Sequence, residues 1–207
     1  MEELKEQIRT GNAREVVSLV GRYLDEGREP EAILKQAMIP AMDEVGDLFQ
    51  RGEFFLPEML IAARAMKEGL AVLRPRLVEA GVEPAGRVVL GTVQGDLHDI
   101  GKNLVGMALE GAGFEVIDLG IDVPAERFVE AIRTHRPLAV GLSALLTTTM
   151  LQMKTTVEAL DRAGLRGTTR VLVGGAPVTQ AFAQEIGADC YGPDPTAGKQ
   201  YLQGLAS

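Results

Sequence analysis

The residues best equipped for chemistry are crowded into one stretch, Gly95-Asp96-Leu97-His98-Asp99-Ile100-Gly101-Lys102-Asn103. His98 is one of only two histidines in the chain. It has a carboxylate two residues before it and another directly after. A neutral imidazole suits first-row metals of intermediate softness. An acid that takes a hydrogen bond from the second ring nitrogen orients the ring and raises its basicity. Asp96 is placed for that task, and a hydroxyl from the run Thr147-Thr148-Thr149 can in turn bond Asp96. A plainer reading stands beside this one: His98 faces solvent near a helix start and Asp99 caps the helix.

The elements around this stretch decide what it can do. Arg87-Val88-Val89-Leu90-Gly91-Thr92-Val93 reads as a buried strand, and Leu104-Val105-Gly106-Met107-Ala108-Leu109 as part of a helix. Further strands are predicted at 114–119, 138–143, 170–174 and near 188–191. Helices are predicted at 100–112, 124–135, 148–163, 177–186 and from Pro195 to Leu205. Strands alternating with helices imply βαβ units, a parallel sheet and right-handed crossovers. Five strands suggest a flavodoxin-like order, with ligands at the carboxyl ends of the strands. Three loops leave those ends together: the His98 loop, Ser143 to Met150, and Gly174-Gly175-Ala176-Pro177. Gly174-Gly175 permits close backbone approach, and Ser143 can donate a hydrogen bond. Taken singly, the serine and threonines can instead cap the helix that follows, and the glycine pair can be a strand-end turn. No G-x-G-x-x-G follows the first strand, so a nicotinamide dinucleotide site is poorly supported.

Residues 1–84 show helical periodicity throughout, and 85–207 the alternating pattern, with 81–86 as the boundary. Asn12 is a cap and Gly27 a stop for one helix. Pro30 opens a second, which Pro40 must kink or split. A third starts near Pro57, and residues 3–9 complete a four-helix arrangement. Phe49, Phe54 and Phe55, half of the six phenylalanines, gather at one turn with Leu56. They form either a core under the turn or an apolar lid over a flat ligand. His135 is expected at the surface, Cys190 as a small core residue, and Lys102 solvated or turned toward its helix start.

Composition narrows the classes. A net charge of −8 argues against nucleic acid, and aromatics at 4% give little for base stacking. No segment approaches the roughly 20 apolar residues that span a bilayer, and the charged N-terminus lacks an apolar signal core. A cytoplasmic protein with neither a nucleic-acid nor a membrane partner is expected. One cysteine leaves no intramolecular disulfide and no Cys-rich metal site.

At these residues the sequence resembles the cobalamin-binding module of methionine synthase and, more closely, the stand-alone corrinoid proteins of methyltransferase systems. That family's pattern is D-x-H-x-x-G, then S-x-L, then G-G. Here it is Asp96-Leu97-His98-Asp99-Ile100-Gly101, then Ser143-Ala144-Leu145, then Gly174-Gly175, with intervening segments 102–142 and 146–173 of matching length. Val45-Gly46-Asp47-Leu48-Phe49 and Phe55-Leu56-Pro57-Glu58 resemble the family's four-helix cap.

The resemblance implies an α/β fold: an N-terminal four-helix cap, then a flavodoxin- or Rossmann-like parallel five-stranded sheet. It implies a corrinoid cofactor, cobalamin in its methylcobalamin and cob(I)alamin states, with His98 as lower axial ligand of cobalt and Asp96 behind it. Thr149 stands where methionine synthase completes the relay with a serine. Gly95 to Gly101, Ser143, Leu145, Thr147 and Gly174 to Ala176 would contact the cofactor and its displaced nucleotide tail, and Phe49 and Leu56 would cover its upper face. The implied function is methyl carriage: Co(I) takes a methyl group from a substrate-specific methyltransferase. A second methyltransferase, with tetrahydrofolate or a thiol as acceptor, then removes it, and a reductive activase restores Co(I). Other readings are a corrinoid-dependent sensor, a cofactor-free interaction or storage domain, and a detached mutase subunit.

Overall fold

The computed structural model describes residues 1–206. The chain divides into two compact units. One comprises Met1–Pro84 together with Met107–Gly113; the other comprises Ala85–Gly106 and the chain from Phe114 onward.

The helical unit contains α1 (Glu2–Arg9), α2 (Ala13–Asp25), α3 (Pro30–Ile33), α4 (Ile39–Gln50) and α5 (Leu56–Glu79). Asn12 caps α2 by accepting from the Glu15 amide. Between α3 and α4, Leu34–Met38 forms a π-helical turn. This is how the chain accommodates Pro40. Proline has no N–H to donate, and the wider turn places it in the first turn of α4, where that donor is not needed. α5 continues through Pro75 to Glu79. Leu4, Ile8, Val16, Leu19, Ile33, Met38, Val45, Met66 and Leu73 make a fully enclosed core. Gly69 allows α5 to lie close to α2: a Cβ there would stand 2.6 Å from Val16 Cγ1.

The second unit is a five-stranded parallel sheet in the order β2-β1-β3-β4-β5. Its strands are β1 (Arg87–Thr92), β2 (Glu115–Asp118), β3 (Ala139–Ser143), β4 (Arg170–Gly174) and β5 (Cys190–Gly192). The crossover helices are α6 (Ile100–Gly111), α7 (Ala125–His135), α8 (Leu151–Arg162) and α9 (Gln180–Glu185), and α10 (Pro195–Ala206) ends the described chain. Val88, Val89, Val140 and Val171 are wholly buried, as strands covered on both faces require. The order is that of the flavodoxin-like fold and brings the carboxyl ends of β1, β3 and β4 side by side.

Two expectations about single residues need correction. Cys190 is half-buried on the last, edge strand and lies outside the core. Lys102 is neither solvated nor turned to its helix start. Its side chain is 3% exposed, and Nζ sits 2.5 Å from Asp118 Oδ2 and 2.6 Å from Oδ1 at the end of β2. One turn into α6, the lysine points back across the sheet edge, where a carboxylate offsets the cost of burying its charge.

Candidate functional site

The site begins where β1 ends. Gly95, at φ +81°, turns the chain sharply after the strand, and the turn brings the Asp96 side chain inward. Asp96 is completely buried. Its two oxygens take five donors. Oδ1 accepts from the His98 amide at 3.1 Å and from His98 Nδ1 at 2.8 Å. Oδ2 accepts from the Leu145 amide at 2.8 Å, the Leu146 amide at 3.3 Å and the Thr149 hydroxyl at 2.5 Å. Burial alone would push this carboxyl up. The hydrogen bonds from Thr149, Leu145 and His98 outweigh burial and hold it well below the usual carboxylate range.

An ionised Asp96 can only accept. Nδ1 of the neutral His98 ring therefore carries the proton, and Nε2 keeps its lone pair. The His98 side chain is 51% exposed, and its carbonyl is held by the buried Thr92 hydroxyl at 3.0 Å. The result is an imidazole with a fixed tautomer, fixed backbone and one accessible donor nitrogen. That donor set is a single nitrogen, which fits a metal arriving with the rest of its coordination sphere already supplied. It is the chemistry of a macrocycle-bound metal rather than a protein cage.

The second loop contributes through its backbone as well as its side chains. Leu145 and Leu146 aim their amides at Asp96 while their side chains stay exposed, along with Leu97, Ile100, Ile121 and Leu151 on the same edge of the sheet. The loops at this edge thus carry several exposed apolar side chains, suited to a broad hydrophobic ligand. Thr149 is the hydroxyl of its run that reaches Asp96, and its oxygen also lies 3.0 Å from the Leu146 carbonyl oxygen. It does not cap α8, whose N-cap residue Met150 makes no side-chain cap bond. Thr147 is exposed and Ser143 half-buried.

The glycine pair is also required by the protein's own packing. A Cβ on Gly174 would stand 2.9 Å from the Gly192 carbonyl oxygen. One on Gly175, at φ +126°, would overlap the Ala144 carbonyl oxygen. Both glycines let the β4 loop pass between its neighbours, with Ala176 exposed beyond them. Asp99 takes the N-cap position of α6: its carbonyl accepts from the Asn103 amide at 2.8 Å, and its carboxylate accepts from the Asn103 side chain at 3.0 Å.

Phe49 and Leu56 belong to the helical unit. Phe49 and Phe54 are half-buried against its core, in keeping with a core under the turn. Phe55 is not core: it is 65% exposed, and Leu56 is 38% exposed. The Phe55 amide donates to Glu58 Oε2 at 3.0 Å, which fixes the start of α5.

One contributor escaped sequence reasoning. Asp122, after β2, accepts from the Gly95 amide at 2.7 Å and donates its own amide to the Asp96 carbonyl at 3.0 Å. The available signal was Gly120-Ile121-Asp122-Val123-Pro124, a turn at the same strand-end edge.

Comparison with known proteins agrees with this geometry. Residues 86–200 match the family described as B12 binding domain, and residues 1–74 match a second family of the same description. A corrinoid protein of Desulfitobacterium hafniense is 42% identical, over 91% of this chain and 89% of its own. A dimethylamine corrinoid protein of Methanosarcina barkeri is 46% identical, over 81% of this chain and 79% of its own. Among solved structures, the methanol:cobalamin methyltransferase complex MtaBC of Methanosarcina barkeri superposes with a TM-score of 0.88 at 30% identity, covering 98% of this chain and 78% of that one. A cobalamin-binding protein of Desulfitobacterium hafniense gives 0.80 at 32% identity, covering 98% and 96%. A helical unit followed by a 2-1-3-4-5 sheet, with these matches across nearly its whole length, places the chain in the family of B12-binding corrinoid proteins.

Proposed function

We propose that the chain is a methyl-carrying corrinoid protein. It would take a methyl group from a substrate-specific methyltransferase and surrender it to a second one with tetrahydrofolate or a thiol as acceptor. The observation that carries this reading is the Thr149–Asp96–His98 relay, which leaves His98 Nε2 as a prepared donor. The methylamine relatives and the methanol:cobalamin complex support the donor side. A reductive activase is a further expected partner, and the cytoplasm the expected compartment. Among the described residues no helix is long and apolar enough to cross a membrane.

A bound corrinoid supplies a cobalt centre that accepts and gives up a methyl group. The chain's own residues do the rest. His98 Nε2 would hold the metal. Asp96 beside Nδ1 would hold the ring in one orientation and leave Nε2 as the ligating nitrogen. Thr149 and the Leu145 amide hold Asp96 in place. Gly95 to Gly101, Ser143, Leu145, Thr147 and Gly174 to Ala176 would contact the cofactor, and Phe49 and Leu56 would shelter it from water.

The test is reconstitution of the purified protein with hydroxocobalamin. The expected product is a base-off, histidine-ligated spectrum that His98→Ala converts to one without a protein nitrogen ligand. An identical spectrum from the variant would remove the assignment. Methyl transfer with a cognate methyltransferase then separates the carrier from a corrinoid-bound sensor.

A further inference from the structure

Both ends of the loop that carries His98 are tied to one segment, Asp118–Asp122, which runs from the last residue of β2 into the turn after it. At the near end Asp122 makes a reciprocal pair: its carboxylate accepts from the Gly95 amide at 2.7 Å, and its amide donates to the Asp96 carbonyl at 3.0 Å. At the far end buried Lys102, in the first turn of α6, is paired with both oxygens of Asp118. Asp118 Oδ1 also accepts from the Gly120 amide at 2.9 Å, and the Gly120 carbonyl accepts from the Thr92 amide at 3.0 Å. The turn is thus pinned to the last residue of β1, to the start of the loop and to the helix beyond it. Asp122 adopts φ +51°, a left-handed conformation uncommon for a residue with a side chain. Backbone strain of that kind persists where the surroundings fix it, and here the strained residue is the one whose carboxylate grips Gly95.

We infer that Asp122 and the Asp118–Lys102 pair are positioning residues for His98, a brace that sets the loop before the corrinoid binds. The inference rests on the reading of His98 as the cobalt ligand. The relay ties the loop, through Asp96, to the segment after β3. The brace anchors that loop to a neighbouring strand end that takes no part in the relay. Ligation by His98 then costs less ordering of the chain.

The experiment uses the full chain and two readouts. Amide hydrogen exchange of the cofactor-free protein reports the order of the loop at Gly95 and Asn103. Electron paramagnetic resonance of the protein loaded with cob(II)alamin reports the fraction of cobalt carrying a protein nitrogen. Asp122→Gly tolerates the positive φ and removes the acceptor, while Asp122→Asn keeps an acceptor oxygen. Lys102→Met removes the buried charge and leaves half-exposed Asp118 to water.

Asp122→Gly is expected to speed exchange at Gly95 about three- to tenfold, the factor one hydrogen bond commonly represents, and to lower the ratio of ligated to unligated cobalt by a similar factor. Asp122→Asn should stay near the wild type. Lys102→Met should speed exchange at Asn103 and lower the same ratio. Exchange at Val140, in the middle of the sheet, should not change in the Asp122 variants, which separates a local brace from general stability. The inference is overturned if Asp122→Gly keeps wild-type ligation, whatever it does to exchange, while His98→Ala abolishes ligation. If His98→Ala itself leaves the nitrogen signal intact, the reading of His98 has failed and the brace falls with it.

Discussion

Asp96 holds five donors, and the Thr149 hydroxyl is the one that can be removed without touching the backbone or the His98 ring. Its proton has no rival acceptor of comparable strength, since the other acceptor near it is the neutral Leu146 carbonyl. Replacing it by Val keeps the shape and leaves a fully buried carboxylate one donor short. Hydrogen bonds to charged groups contribute about 1.5–3 kcal/mol, part of which the remaining four donors can recover. Thr149→Val should therefore destabilise the protein by about 1–2 kcal/mol at neutral pH, read from its urea midpoint. Thr149→Ser keeps the hydroxyl and should lose less than half as much. Equal losses from the two would mean that the hydroxyl does not bond Asp96, and that packing of the methyl is what matters.

At the scale of elements, the strands and their helices were readable because each strand is a short apolar run and each crossover helix has its own stripe. The 2-1-3-4-5 order followed from chain connectivity and handedness. The relay was readable in outline because Asp96 and His98 are neighbours in sequence. Its third member could be narrowed only to a run of threonines, since which hydroxyl points inward depends on how the loop after β3 turns. Burial of Lys102 could not be read, because its partner lies sixteen residues away on another element. The π turn before Pro40 was equally hidden, a local geometry chosen by packing rather than residue type. The glycine pair was readable as a close approach, and the approach includes the protein's own backbone at Ala144 and Gly192. That contact has a consequence. Gly175 and Gly187 both have positive φ, yet a Cβ at Gly187 meets nothing within 4 Å while one at Gly175 overlaps the Ala144 carbonyl oxygen. Gly187→Ala should cost about 1 kcal/mol, the usual conformational penalty. Gly175→Ala should cost at least about 3 kcal/mol and displace the loop. Urea unfolding of the two variants, with amide exchange at Ala144, would show whether they differ in this way.

At the scale of the whole molecule, the two units are held together internally by different physics. All the buried charged side chains and threonines among the described residues, Asp96, Lys102 and Lys199 with five threonines, belong to the α/β unit. The ion pairs of the helical unit, such as Lys35–Glu31 and Arg64–Glu68, lie on its surface and contribute little. The α/β unit also contains Asp189, where burial would raise the carboxyl but the Val171 amide and Arg166 bring it below its ordinary value. Asp96 and Asp189 are therefore both more acidic in the folded state than the unfolded value of about 4. Groups of that kind add stability that is fully present above the unfolded value and is lost as pH falls through the folded one. Acidification from pH 7 should leave both units unchanged down to about pH 4 and then weaken the sheet before the helices. The order can be followed by amide exchange at Val140 and Val171 against Val16 and Met66. Asp189→Asn should remove part of this dependence, lowering stability by about 1–2 kcal/mol at pH 7 and by progressively less below pH 4. A difference from the wild type that stayed constant across that range would mean that Asp189 acts through shape, and that its charge is not what ties β4 to the loop before β5.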